Sequence, residues 1–318
     1  MTLIQALSKL LAAPRFWLAA LVIAAACWTG AHFAPHHEAG NVFEQLYMHL
    51  MPTKLVQDAH EHASPYLCSL SLPIPALFDM DDAVAGTQLV LTNLQIFQLA
   101  AVLLIFVCFS GVPAYLRTGK GDWISQVCAG FALWVRDEMI YPALGKDVGR
   151  KLAPYFLGLF FFILFMNLMG LLPFSATATA SIFVTGALAV LTLVSMIGGG
   201  MVAQGPFAYW KHLVPHVPVA IWPIMLVVEL AGLIIKPFAL MIRLFANMTG
   251  GHMVVLSFMG LIFFFGATNP AVGWASSPLA LGFAVFIMII ESFVALLQAY
   301  IFTQLTLLFV GASIHPEH

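Results

Sequence analysis

Long apolar runs separated by short polar stretches dominate this chain after about residue 90. Residues 91–112, 152–174 and 177–203 are each long enough to cross a hydrocarbon core about 30 Å thick as one helix. Residues 122–150 instead mix apolar and charged residues at helical spacing, which predicts an amphipathic helix on a membrane surface. The pattern therefore predicts an all-α protein that is embedded in a membrane.

Two apolar runs in the last third are too long for ordinary spans. Residues 219–265 would form a helix about 70 Å long and residues 279–311 one of about 50 Å. Either the first run breaks into two spans, or both runs form a strongly tilted helical hairpin. No strong helix breaker interrupts residues 238–249, so we favour the hairpin, with its turn in the Pro- and Gly-rich stretch 266–278.

The first ninety residues differ from the rest of the chain. A basic start and a short apolar run at 16–28 suit a secretory signal, and an uncleaved anchor using residues 16–34 also fits. We therefore treat residues 1–34 as a signal peptide or N-terminal anchor, which places the polar segment 35–90 outside the cytoplasm. Six of the eleven histidines lie in or beside that segment: His32, His36, His37, His49, His60 and His62. Their spacing repeats no ligand pattern, so a solvated loop is favoured over a metal site, and no cofactor is predicted.

Composition and charge agree with a membrane location. Hydrophobic residues make up 62% of the 318 and charged residues only 8%, against about 25% in a typical soluble domain. The net charge of -2 gives no sign of a nucleic-acid partner. The positive-inside rule places the amphipathic helix and the C-terminus in the cytoplasm, because one side carries the basic loop residues Arg117, Lys120, Arg136, Lys146, Arg150, Lys151 and Lys211.

Residues 91–318 are thus expected to form an integral membrane domain. We predict about five to six membrane helices, one amphipathic helix on the cytoplasmic surface and a long, strongly tilted C-terminal helical hairpin.

Four charged residues lie inside the last two apolar runs, where a charge costs roughly 2.5–3.5 kcal/mol on insertion scales. Glu229, Lys236 and Arg243 follow each other at seven-residue intervals and share one helix face, and Glu291 lies in the last run. Ion pairing between helices is the plain structural explanation, above all for Lys236, which could pair with Glu229. The functional explanation is an ion path.

Polar residues near these charges extend the pattern. Asn247 lies one turn beyond Arg243 on the same side, His252 lies on the opposite side, and Gln298 shares a face with the acid seven residues before it. Along the helix Arg243 is about 21 Å from Glu229 and about 14 Å from His252. Glu and His can exchange protons, whereas Arg stays protonated. The layout is that of two half-channels separated by a fixed cation.

Three strings closely resemble subunit a of F-type ATP synthases: KPFALMIRLFANMTGGH at 236–252, APYFLGLFFFILFMNLMGLLP at 153–173 and IIESFVALLQAYIFTQLTLLFV at 289–310. The resemblance covers about residues 90–318. It implies a non-catalytic stator subunit in a bacterial cell inner membrane that couples proton flow to ATP synthesis. The implied partners are a rotating ring of c subunits, subunit b, the rest of the F-type ATP synthase and the lipid bilayer.

The resemblance also implies a proton path. Arg243 resembles the family's essential arginine, which faces the ring carboxylates, and Asn247 and Gln298 resemble its polar neighbours at the rotor interface. His252 and Glu291 resemble the pair that lines the external half-channel. Glu229 resembles the acid of the cytoplasmic half-channel, and Lys236 is a weaker candidate. In some members of the family the acid of the external pair is on the penultimate helix and the histidine on the last, the reverse of the order here.

Three other functions stay open. A stand-alone secondary ion transporter or channel would also explain charges inside the membrane, although the halves of the chain show no inverted repeat. A membrane enzyme lacks support, since the chain has no GxSxG, HExxH or GxxxxGK[ST] motif. A structural anchor for a partner complex would not explain why a charged residue, Arg243, lies inside the membrane.

Overall fold

The structure is a computed structural model that describes residues 13–32, 70–71, 88–89, 93–172, 177–212 and 222–314. The histidines predicted to lie in a solvated external loop lie outside the described residues, apart from the backbone of His32. The same holds for the tight turn that Pro173 predicts between the runs 152–174 and 177–203, and for the last four residues. The proposed division at residues 34 and 90 also falls largely outside them.

The described chain is helical apart from one short strand pair. The helices are α1 (Pro14–His32), α2 (Asn93–Phe109), α3 (Val112–Thr118), α4 (Trp123–Trp134), α5 (Tyr141–Gly170), α6 (Ile182–Gln204), α7 (Pro206–His212), α8 (Trp222–Thr268) and α9 (Pro270–Ile314). A π-helical segment, Val135–Ile140, joins α4 to α5, and a 3-10 turn, Ala178–Ala180, precedes α6. Strands β1 (Leu70–Ser71) and β2 (Gln88–Leu89) pair antiparallel.

Within the described part of the chain, five helical stretches are long and apolar enough to cross a membrane: 94–118, 123–170, 182–204, 222–267 and 270–314. Helix α1 is a shorter apolar helix. The predicted all-α membrane fold with about five to six membrane helices is therefore confirmed, and the chain is a multi-pass membrane protein.

The predicted C-terminal hairpin is present as α8 and α9, with 47 and 45 residues. At about 1.5 Å per residue each is close to 70 Å long, so in a hydrocarbon core of about 30 Å both must be strongly tilted or project beyond it. The alternative in which the first run breaks into two spans is wrong.

The turn of the hairpin is much shorter than the predicted stretch 266–278. Only Asn269 separates the two helices, and its Oδ1 accepts a hydrogen bond of 3.0 Å from the backbone N–H of Ala271. Pro270 begins α9, where a residue without an N–H leaves no helical hydrogen bond unmade. A capping Asn followed by Pro therefore starts α9 immediately.

Contacts along the hairpin run in antiparallel register. Phe258 stacks on Phe283 with ring centroids 5.3 Å apart, and a buried stripe of Leu240, Leu244 and Met248 lines the inner side of α8. Helices α5 and α6 pack on the same hairpin. The hydrophobic core thus lies where these four helices meet.

The ends of the bundle can be told apart by these contacts. At one end, the Gln204 Nε2 of α6 donates to the Ser313 carbonyl of α9 over 2.7 Å. At the other end of α6, the Thr249 Oγ1 of α8 donates to the Ala180 carbonyl over 3.4 Å. The first is called the basic end here, because the loops predicted to carry the basic residues lie on that side.

The predicted amphipathic helix at 122–150 is not one helix. It consists of α4, the π-helical segment and the start of α5, where Gly145 adopts φ 74° and ψ 167°. That conformation is open to glycine and strained for other residues, so the chain turns there before the spanning part of α5. Trp123 and Trp134 are exposed, whereas Val135 is buried.

Helix α1 packs on α2. Its Arg15 Nη1 donates to Ser125 Oγ over 2.7 Å and lies 3.2 Å from Asp122 Oδ2. Ala26 is buried in the core. Helix α1 is thus tied to the rest of the bundle at one end and packed along its length.

We expect the mature protein to retain residues 14–32, because removing α1 would expose the apolar surface of α2 and leave buried Ser125 without its hydrogen bond from Arg15. Intact-mass measurement of the chain purified from membranes tests this. A mature N-terminus that lies beyond residue 31 would contradict it, and a mass that includes α1 would support it.

Two glycines set the spacing of the hairpin near its turn. A Cβ atom on Gly273 would lie 2.6 Å from the Cα and 2.9 Å from the N of Gly266, which are backbone atoms that cannot give way cheaply. We expect Gly273→Leu to destabilise the protein by about 1–3 kcal/mol through overpacking. Thermal unfolding in detergent measures this.

The matched control for that change is Gly282→Leu on the same helix. A Cβ on Gly282 meets no atom within 4 Å, so the same change in helix propensity occurs without a clash. Equal thermal midpoints for the two variants would show that the close approach at Gly266 contributes nothing.

Candidate functional site

Arg243 lies on the exposed side of α8, next to the fully buried Leu244. Among the residues that the structure describes, it makes no ion pair, hydrogen bond or cation–π contact. An unpaired guanidinium inside an apolar span is costly, and such residues are found facing a cavity or a charged partner. Within the described chain nothing compensates this charge.

Small residues surround Arg243 on the same face. Ala239, Ala246 and Gly250 are spaced four, three and seven residues from it, and all three are exposed. In membranes, small residues on a helix face let the backbone of a neighbouring helix come close. This shallow surface was not predicted, although the spacing of small residues around the arginine is visible in the sequence.

Asn247 and Gln298 are brought together across the hairpin. Asn247 Nδ2 donates to Gln298 Oε1 over 2.9 Å. Gln298 is fully buried, and its Nε2 has no hydrogen-bond partner in the described structure. The two predicted neighbours of Arg243 therefore form one polar contact, which leaves one buried donor unused.

His252 and Glu291 also meet, farther from the basic end. His252 Nε2 lies 3.7 Å from Glu291 Oε1, and the side chains are 17% and 4% exposed. Neither carboxyl oxygen of Glu291 has a hydrogen-bond partner within the described residues. Gly251 provides the space, because a Cβ there would lie 2.5 Å from Glu291 Oε1.

Thr177 is a member of this site that sequence reasoning missed. Its Oγ1 is 2.6 Å from His252 Nε2 and donates to the Gly170 carbonyl over 3.3 Å. When the Thr177 hydroxyl donates to that carbonyl, its oxygen can accept a hydrogen bond from a protonated Nε2. When the hydroxyl hydrogen turns toward His252, the hydroxyl can instead donate to an unprotonated Nε2. The hydroxyl can therefore select which nitrogen of His252 carries the proton.

Two further buried polar groups lie nearby. Thr179 Oγ1 and Asn167 Oδ1 are buried without a hydrogen-bond partner among the described residues, and Asn167 Nδ2 donates to the Ala295 carbonyl, one turn after Glu291. Buried polar atoms are normally satisfied, so unsatisfied ones point to water or to a partner. In the sequence these two groups could be noticed only as polar residues in apolar runs, Asn167 inside one run and Thr179 near the start of the next.

Glu229 and Lys236 remain apart from these contacts. Glu229 is half-buried and Lys236 exposed, and the suggested ion pair between them is not formed. Lys236 Nζ instead lies 5.8 Å from the centroid of the Phe309 ring. The structure thus brings together two predicted pairs across the hairpin, Asn247 with Gln298 and His252 with Glu291. Within the described chain, Glu229, Lys236 and Arg243 lie along one helix without an ion pair or hydrogen bond to these pairs.

The described residues contain no cluster of three or more His, Cys, Asp or Glu side chains that could hold a metal ion.

Comparison with known proteins places the chain in a family. The model of the family described as "ATP synthase A chain" matches residues 94–311. Similar proteins named "ATP synthase subunit a" include those of Myxococcus xanthus, 48% identical over 58% of this chain and 59% of that protein, and of Anaeromyxobacter dehalogenans, 43% identical over 68% and 55%. That of Chloroherpeton thalassium is 38% identical over 74% of this chain and 70% of that protein.

The chain spans little more than half the length of the first two of these relatives, 59% and 55%. The family model, in contrast, includes the hairpin up to Gly311 and all the polar residues of the candidate site. The chain belongs to the ATP synthase A chain family.

Proposed function

We propose that this chain is the membrane stator subunit of an F-type ATP synthase in a bacterial inner membrane. It provides two proton half-channels, separated by Arg243, and works against a rotating ring of c subunits beside subunit b. It performs no ATP chemistry itself. Membership of the family and the names of the similar proteins support this function.

One observation supports the proposal more than any other: Arg243 is exposed in mid-span and has no compensating group within the described chain. A stand-alone transporter or channel would be expected to compensate such a charge within its own bundle. A carboxylate on a second protein compensates it only when that protein is present. The small residues around Arg243 give such a partner helix room to approach.

The proposed external half-channel ends at His252 and Glu291. Both can bind and release a proton, they lie within 3.7 Å of each other, and Thr177 contacts the histidine. A proton delivered here neutralises a ring carboxylate, and the neutral site can turn into lipid at low cost, which a charged site cannot. Each proton that crosses carries about 2.3 kcal/mol per 100 mV of membrane potential.

The proposed internal half-channel includes Glu229, which lies on α8 toward the basic end, with Lys236 as a weaker candidate. A ring carboxylate that has lost its proton on this side meets Arg243, whose positive charge favours the ionised form. Because arginine cannot be deprotonated in a protein, Arg243 blocks a direct proton leak between the half-channels. Its role is that of an electrostatic gate.

Arg243→Ala should leave the complex assembled and abolish proton-driven ATP synthesis, because the gate charge is lost. Arg243→Lys should fail as well, since a compact ammonium does not match the fork of a guanidinium. ATP synthesis by inverted membrane vesicles under a proton gradient measures both variants. Lys120→Ala, which removes an exposed positive charge just after the end of α3, is the control. Normal synthesis by the Arg243 variants would disprove the gate.

Thr177→Val should lower the rate of ATP synthesis about tenfold, the equivalent of one lost hydrogen bond of about 1.4 kcal/mol. Thr177→Ser keeps the hydroxyl and should restore most of the rate. Thr249→Val is the control, because within the described part of the chain the Thr249 side chain bonds only to the nearby Ala180 carbonyl. If Val and Ser at position 177 gave the same rate, the hydroxyl would have no role in proton delivery.

A further inference from the structure

One groove of the bundle is not used by the proposed function. It lies between α2, α3, α4 and α5 and has a volume of about 370 Å³. Eleven of its twelve lining residues are apolar or glycine, including Phe109, Leu116 and Leu157, and the twelfth is Arg136. The groove is therefore an apolar trough with one cationic group.

The trough is an open space. A Cβ atom on Gly158, which lies in its lining, meets no atom within 4 Å. Phe109 and Phe161, both in the lining, meet edge to face with centroids 4.6 Å apart. A trough of this composition inside a membrane excludes water and admits hydrocarbon, since no polar group other than the guanidinium is there to bind water.

Arg136 can bind an anion while keeping its own ion pair. Its Nε and Nη2 donate to the two carboxyl oxygens of Asp137 over 2.8 and 3.0 Å, which leaves Nη1 outside that pair. The ion pair is partly exposed, with 37% and 49% of the two side chains accessible. The free edge of the guanidinium is thus available to a second acceptor.

Further basic residues lie close in sequence to the lining residues. Arg117 directly follows the lining residue Leu116, and Arg150 lies one turn before Pro154, which also lines the groove. Both arginines are exposed. The positive-inside rule places these residues at the cytoplasmic membrane surface.

We propose that this groove binds an anionic phospholipid from the leaflet at the basic end. One acyl chain fills the trough beside Gly158, and the phosphate accepts hydrogen bonds from Arg136. Basic pockets between membrane helices on the cytoplasmic side recognise lipid headgroups of this charge. An acyl chain fits the apolar lining better than a partner helix, because a trough of about 370 Å³ is at the small end of ligand sites.

The test uses the full chain in nanodiscs that contain equal amounts of phosphatidylglycerol and phosphatidylcholine, with native mass spectrometry of the lipids that remain bound after release. The wild-type chain should retain phosphatidylglycerol roughly fivefold over phosphatidylcholine, about the preference that one basic residue near a membrane surface provides. Arg136→Gln should remove the preference while lipid still binds.

The filled-groove variant is Gly158→Leu, which places a side chain into the open space and should lower bound phosphatidylglycerol at least fivefold. Gly130→Leu is the matched control, because Gly130 is an exposed glycine of α4 outside the lining, and a Cβ there also meets no atom within 4 Å. Ala132→Phe blocks the groove from α4 and replaces Gly158→Leu in the test if that variant lowers the yield of folded protein.

Three results would overturn the proposal. The first is equal retention of both lipids by the wild-type chain, and the second is unchanged lipid binding in the variants with a blocked groove. The third is loss of the lipid from the assembled membrane complex, which would show that a helix of another subunit covers the groove. None of these results depends on ATP synthesis, so they leave the proposed function untouched.

Discussion

A positive charge that cannot be removed, held in mid-span on the exposed side of α8, is the constraint on which the rest of this structure depends. Arg243 cannot lose its charge by releasing a proton, and no group of the described chain compensates that charge. Inside an apolar span such a charge is costly unless the face that carries it meets a cavity or a charged partner. Exposed Ala239, Ala246 and Gly250 give that face its low profile.

The hairpin separates this charge from the groups that can exchange protons. Helices α8 and α9 present Asn247, Gln298, His252 and Glu291 to each other, while Arg243 points away from the pair interior. Since the two helices are close to 70 Å long, the contacts and the arginine can lie at different depths in one rigid unit. Both helices are continuous from end to end, so helix geometry sets the relative depths of these groups.

The reversed order of acid and histidine has a structural explanation here. Glu291 comes from α9 and His252 from α8, and each reaches the same place because the helices are antiparallel neighbours. Gly251 leaves the space into which the carboxyl group fits.

Much of the fold was predictable because the bilayer imposes it. The cost of an unsatisfied backbone in hydrocarbon turns long apolar runs into helices, so α6 and the spanning part of α5 followed from run length. The hairpin of α8 and α9 followed only when the absence of a strong helix breaker in residues 238–249 was added. The length of the hairpin turn was not predicted, since a capping Asn before Pro starts a helix at once. The break at Gly145 and the π-helical segment were missed because their neighbours in sequence favour helix.

The amino-acid sequence by itself determined which charged residues enter the membrane and which helix face each one occupies, because helical periodicity fixes relative direction along a single element. Contacts between elements depend on how the helices pack, which no local pattern specifies. Only the tertiary structure decided that Thr177 lies against His252, that Glu291 rests over Gly251, and that Lys236 meets Phe309 instead of Glu229. It also left Arg243 as the exposed, uncompensated cation of the described hairpin.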